Sequence, residues 1–238
     1  MRHRRGVWRD LGVDLLEDLR RLGVSPSLQR PGDAAKPGVS LWDAGSEEDL
    51  LAVAAAARLL CGRILWCGSA GLAAALAGGS AGAAARAPSP LLALIGSRHR
   101  VSLEQLARIR PLSVRLRSVK AEVGEIAERL ESGSLAVTPV LGPGLSREEA
   151  ARRIAALFVE LLMALPAPLP LLVSGGETLR GVCLGLRVRS LEVAGEILPG
   201  IPLSVFQGGP FEGVQVISKS GAFGGPDLLK DLLTNDRY

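Results

Sequence analysis

Leu171-Leu172-Val173-Ser174-Gly175-Gly176-Glu177-Thr178 is an apolar strand that runs straight into a Gly-Gly turn. The same pattern returns at Val216-Ile217-Ser218-Lys219-Ser220-Gly221-Ala222-Phe223-Gly224, now carrying a lysine. A third, shorter copy stands at Ile95-Gly96-Ser97. A strand that ends in glycine-rich backbone ahead of a helix offers unpaired N–H groups and a positive helix end, which suits a phosphate. Three such turns make a nucleotide site the leading reading.

Working outward, strands and helices alternate. Leu91 to Ile95 reads as a strand, and Ser102 with Gln105 reads as a capping box for a helix over Leu103 to Ile109. A second helix spans Val119 to Glu131, followed by a strand over Leu135 to Val140 and a turn at Gly142-Pro143-Gly144. Ser146 with Glu149 caps a strong helix from Arg147 to Leu165. The strand Leu169 to Val173, the Gly-Gly turn and a helix from Thr178 make one more unit. From Leu191 the chain is β-rich, and a short helix over Pro226 to Leu233 closes it. This alternation predicts an α/β fold: a parallel or mixed sheet with helices on both faces, preceded by a partial α/β lobe. Ligands in such sheets bind at the carboxyl ends of the strands, where these glycine turns fall.

The amino-terminal part reads more loosely. A helix is expected over Gly6 to Gly23, a loop over Ser25 to Gly38, and a short strand over Val39 to Asp43. Ser46, with Asp49 three residues on, is placed to cap a helix over Glu47 to Leu60. Arg63 to Cys67 reads as a strand and Leu72 to Ala77 as a helix. The small, flexible, proline-ended segment Gly78 to Pro90 is the candidate boundary.

Bulk properties exclude several classes. The chain has 238 residues with 47% hydrophobic, but only four Phe, three Trp and one Tyr, so Ala, Leu and Val must fill the core. The net charge of +4 is modest and interspersed, apart from Arg2-His3-Arg4-Arg5, which reads as a solvated tail and not a nucleic-acid module. Cys61, Cys67 and Cys183 are odd in number, and with only His3 and His99 no zinc framework can be assembled. A reduced, cytoplasmic compartment is expected, and acidic Asp10, Asp14, Glu17 and Asp18 break any secretory signal. Trp66 to Ala85 is uncharged over a spanning length, but its five glycines point to a soluble strand, turn and helix.

Each candidate has a plain alternative. Gly175-Gly176-Glu177-Thr178 places amides around a phosphate, with Glu177 or Thr178 bonding a hydroxyl or an Mg²⁺-bound water. It could equally be a tight turn capped by Thr178. Lys219 is read, from its charge, as neutralising a phosphate, against a strand-end lysine facing solvent. His99 could be a general base, but a loop histidine without a carboxylate partner is the simpler reading.

Taken in order, the motifs resemble the four-carbon acid sugar kinases: Gly96 to Gln105, Ser174 to Thr178, Gly195 to Pro202, and Lys219 to Gly224. The resemblance covers Leu91 to Leu233 and implies the family's C-terminal nucleotide-binding domain, over residues 90–238. Residues 1–85 resemble only the end of the substrate-binding lobe, through Trp42-Asp43-Ala44, Asp49-Leu50 and Gly68 to Ala73. The resemblance implies transfer of the ATP γ-phosphate to a threonate- or erythronate-like acid. It also makes Ser97, Gly175, Gly176, Glu177, Thr178 and Gly221 nucleotide contacts. His99 and Ser102 depart from the family's small hydroxyl residue and threonine, and no Asp-Asp-x-Thr-Gly turn is present. The chain is therefore expected to be incomplete for catalysis, with no assignable catalytic base. A separately encoded N-terminal half would complete it, or the chain is a fragment of a disrupted gene; a homo-oligomer would be one way to cover the apolar surface that an incomplete lobe leaves. The competing class is a non-catalytic nucleotide-binding or regulatory protein.

Overall fold

The computed structural model describes residues 2–4, 7–9, 14–78 and 84–234. The chain divides into two compact units, Met1–Ser80 and Ala81–Tyr238.

In the first unit, β1 (Arg2–Arg4) pairs antiparallel with β2 (Val7–Arg9). The helix expected from Gly6 is shorter: α1 covers Leu15–Arg21, capped by the Asp14 side chain, which accepts from the Glu17 N–H. Gly6 and residues 10–13 lie outside the described residues. β3 (Ser27–Gln29) and β4 (Ser40–Trp42) form a small parallel pair. Ser46 and Asp49 make a reciprocal capping box at the start of α2 (Glu47–Arg58), whose Val53, Ala54 and Ala57 are buried. α3 (Ala70–Leu76) follows, with Gly71 pressed so closely on Leu50 of α2 that a Cβ would stand 2.9 Å from its Cδ1. Arg63 to Cys67 is not the strand its sequence suggests. It is irregular, and Leu65 is 90% exposed. An apolar run becomes a strand only where a neighbour supplies the ladder hydrogen bonds. Residues 79–83 of the expected boundary segment lie outside the described residues.

The second unit is a mixed seven-stranded sheet. It opens with β5 (Leu92–Ile95), α4 (Arg100–Arg108) and β6 (Ser113–Leu116). It continues through α5 (Val119–Glu131), β7 (Leu135–Pro139), α6 (Arg147–Ala164), β8 (Leu171–Ser174) and α7 (Gly176–Gly185). β9 (Ser190–Leu198), β10 (Ile201–Gln207), β11 (Gln215–Lys219) and α8 (Leu228–Thr234) complete it. The spatial order is β6-β7-β5-β8-β11-β10-β9. Strands β6, β7, β5, β8 and β11 run parallel, while β10 is antiparallel to both of its neighbours. The edge strand β6 was not expected from sequence, because four residues carrying a single alternation give little pattern.

The central strands β5 and β8 are buried on both faces. Leu92, Leu94, Leu171 and Val173 join one core with α5, α6 and α7. Leu91, Ala93, Ile95, Leu172 and Ile217 join another beneath α8. Phe158 and Phe206 are fully buried, and each such side chain contributes about 2–3 kcal/mol by leaving water.

Candidate functional site

The sheet reverses its winding between β5 and β8. From β5 the chain leaves toward α4, on the face covered by α8; from β8 it leaves into α7, on the opposite face. Neighbouring strands whose connections part to opposite faces open a crevice at their carboxyl ends. The register makes those ends level: Ile95 pairs with Ser174, and Ser174 with Lys219. Gly96, Gly175 and Ser220 therefore emerge side by side.

A cleft of about 550 Å³ occupies this crevice, within the size range of small-ligand sites. Ser97, Gly175, Gly176, Glu177, Thr178 and Gly221 all line it. Gly175 adopts φ +112°, a conformation open to glycine, and its N–H donates to the Lys219 carbonyl at 2.9 Å. A Cβ on Gly176 would meet nothing within 4 Å, so backbone faces open space there. No side chain caps α7, and its first-turn N–H groups have no acceptor within the helix. At the opposite extreme, a Cβ on Gly96 would overlap Thr178 Oγ1 and stand 2.9 Å from Ile154 Cγ2. A Cβ on Gly221 would overlap the Ser97 side chain.

Lys219 is the residue the structure does not bring to the cleft. Strand alternation puts it on the same side as Ile217, against the core beneath α8, where it is 3% exposed. Its Nζ donates to the carbonyls of Ser220 (3.0 Å) and Phe223 (3.2 Å). Burial pushes its pKa down to about 8. Neither sequence reading, phosphate ligand or solvent-facing lysine, describes this position.

The positive charge at the cleft comes instead from Arg98 and Arg147, both exposed lining residues. Sequence reasoning missed the wall that carries Arg147. Leu145, Ser146, Arg147, Ala150, Ala151 and Ile154 bring the first turns of α6 to the cleft. The Gly142-Pro143-Gly144 turn after β7 was the available signal, since β7 lies beside β5. The middle of α6 packs closely on α7: Gly181 and Gly185 of α7 lie on Ala155 and Val159. The capping box of Ser146 and Glu149 forms as expected, and hydrogen bonding from Ser146 holds the Glu149 carboxyl below its ordinary value.

The helix after β5 is capped differently from expectation. His99, not Ser102, is the N-cap of α4, and its Nδ1 accepts from the Val101 N–H at 3.2 Å. That cap bond engages Nδ1 of the ring. Ser102 and Gln105 turn inward, bonding the loop after β11. Cys183 is half-buried, with its thiol pushed up by burial, as befits a packing residue.

A family model described as the nucleotide-binding C-terminal domain matches residues 92–229, more than half of the chain. The chain is 30% identical to a D-threonate kinase from Bordetella bronchiseptica, over 87% of this chain and 55% of that protein. The chain belongs to the four-carbon acid sugar kinase family. A D-threonate kinase from Cupriavidus necator is 32% identical to this family member, over 82% of this chain and 53% of that protein. The chain thus spans about half the length of the curated relatives it matches. In fold, the chain is similar to a crystal structure of a Haemophilus influenzae protein. That likeness has a TM-score of 0.57 at 19% identity and covers 82% of this chain and 53% of that one.

Proposed function

We propose that the second unit binds ATP in the β5–β8 cleft and serves as the nucleotide half of a kinase acting on a threonate- or erythronate-like acid. One observation carries the reading: an uncapped helix start opens onto Gly176, where a Cβ would meet nothing, with Arg98 and Arg147 beside it. The residues fit a polyphosphate. The backbone amides of Gly176, Glu177 and Thr178 supply directed donors, and the two guanidinium groups supply charge. Glu177, the carboxylate in the lining, suits a water held by Mg²⁺ accompanying the phosphates. ATP would supply the phosphoryl group; the chain's part is to fix its position and to balance its charge.

In this reading residues 90–238 form the nucleotide-binding domain and residues 1–85 the end of a substrate-binding lobe. The acid-binding residues would then come from an N-terminal half or from a second copy of the chain. No helix among the described residues is long and apolar enough to cross a membrane. ATP use and the free, exposed Cys61 and Cys67 support a cytoplasmic setting.

Calorimetric titration of the chain with ATP and Mg²⁺, against adenosine, tests the proposal. Binding that depends on the phosphates is the expected result. A folded chain that takes up neither ligand sinks it. Binding with no transfer to threonate, even with an N-terminal half supplied, moves the chain to the non-catalytic class.

A further inference from the structure

Three buried polar side chains converge on the loop between β11 and α8. Ser102 (1% exposed) and Gln105 (0%) come from α4, and Lys219 (3%) from the end of β11. Ser102 Oγ donates to the Gly221 carbonyl at 2.8 Å. Gln105 Nε2 donates to the carbonyls of Phe223 (3.1 Å) and Gly225 (2.8 Å). With the two bonds from Lys219 Nζ, the loop's carbonyls receive five side-chain hydrogen bonds. Gln105 Oε1 is left without a partner. A buried orphan acceptor is costly, so the amide is held at this place for its donors.

The captured loop is a wall of the cleft. Gly221 and Ala222 line it, and Gly221 sits against Ser97. The backbone of Lys219 holds the opposite wall as well, since its carbonyl accepts the Gly175 N–H. Turning the loop's carbonyls toward α4 removes acceptors that would repel an anion from the cleft side.

We propose that Ser102, Gln105 and Lys219 are positioning residues: a buried clamp that fixes the Gly221–Ala222 wall and thereby sets affinity for a polyphosphate. The affinity part rests on the ATP reading above; the clamping of the loop does not. No member of the clamp needs to touch the ligand. Ser102 and Gln105 thus acquire a role that their capping-box spacing concealed.

The test pairs hydrogen exchange of the amides between 220 and 225 with ATP–Mg²⁺ titration of the whole chain. Variants are Gln105→Leu, Ser102→Ala and Ser102→Thr. Loss of one buried hydrogen bond predicts loop exchange faster by about fivefold to tenfold in Ser102→Ala, with ATP weakened by a similar factor. Gln105→Leu, losing two, should exceed it. Ser102→Thr keeps the hydroxyl and should restore both values, which a simple packing role would not produce. If Gln105→Leu fails to fold, the Ala and Thr pair decides alone. Unchanged loop exchange in Ser102→Ala overturns the clamp, and faster exchange with unchanged ATP affinity overturns its control of binding. A wild-type chain that binds no ATP overturns the nucleotide reading and, with it, the affinity part; exchange then judges the clamp of the loop by itself.

Discussion

The turn after β8 and the turn after β11 are nearly the same sentence in sequence: an apolar strand, a small polar residue, then glycine. In the folded chain they do opposite things. The β8 turn leaves its backbone bare, with open space at Gly176 and an uncapped helix beyond. The β11 turn is gripped from behind, its carbonyls bonded by Ser102, Gln105 and Lys219 and its Gly221 pressed on Ser97. One turn leaves its backbone open to the cleft, and the other is held from behind. The lesson is that a glycine's purpose is read from what lies where its Cβ would be.

Substitutions at the two glycines should separate these roles. Gly221→Val must displace Ser97, and overpacking of this kind costs about 2–3 kcal/mol of stability; urea unfolding measures it. Gly176→Val should leave unfolding within about 0.5 kcal/mol of wild type while weakening ATP by about twentyfold through the lost approach to backbone. The reverse pattern, with Gly176 costing stability and Gly221 only affinity, would break the comparison.

A smaller effect sharpens the assignment of charge. Arg98→Ala and Arg147→Ala should each weaken ATP by about fivefold to tenfold at low salt while sparing adenosine. Titrations at two ionic strengths check this. An equal loss for adenosine would remove the guanidinium groups from the phosphates.

The smallest effect concerns the gripped turn. Lys219 has a folded pKa of about 8, below its ordinary value of 10.5, because burial disfavours the ammonium form. The unfolded chain then binds more protons than the folded one between those values, so stability rises with pH across that window. From pH 8 to 9 the gain is about 1 kcal/mol, and Lys219→Met should abolish it. A pH-independent difference between wild type and variant would mean that the lysine is not desolvated.

Much of this molecule was legible in its sequence for definite reasons. The helix Val119–Glu131 and the two reciprocal capping boxes are local, since a cap is settled within a few residues. Glycine after an apolar run correctly marked the strand ends that line the cleft. Legibility failed where pairing or parity decides. Arg63 to Cys67 has a strand's composition and no ladder, while Ser113–Leu116 has weak composition and a partner in β7. Ser102 and Gln105 have capping-box spacing, yet the helix starts earlier at His99 and frees them to reach the loop.

The sequence by itself determined the alternation of strands and helices, the glycine ends of β5, β8 and β11, and the family to which the chain belongs. Those are properties of neighbours along the chain and of their order. Only the tertiary structure decided that Lys219 faces the core, that Arg98 and Arg147 carry the cleft's charge, and that α6 is one of its walls. Each depends on strand parity, on the order of strands in the sheet, or on helices packed through Gly181 and Gly185. Distances across a sheet are set by which strands pair, and pairing is long-range.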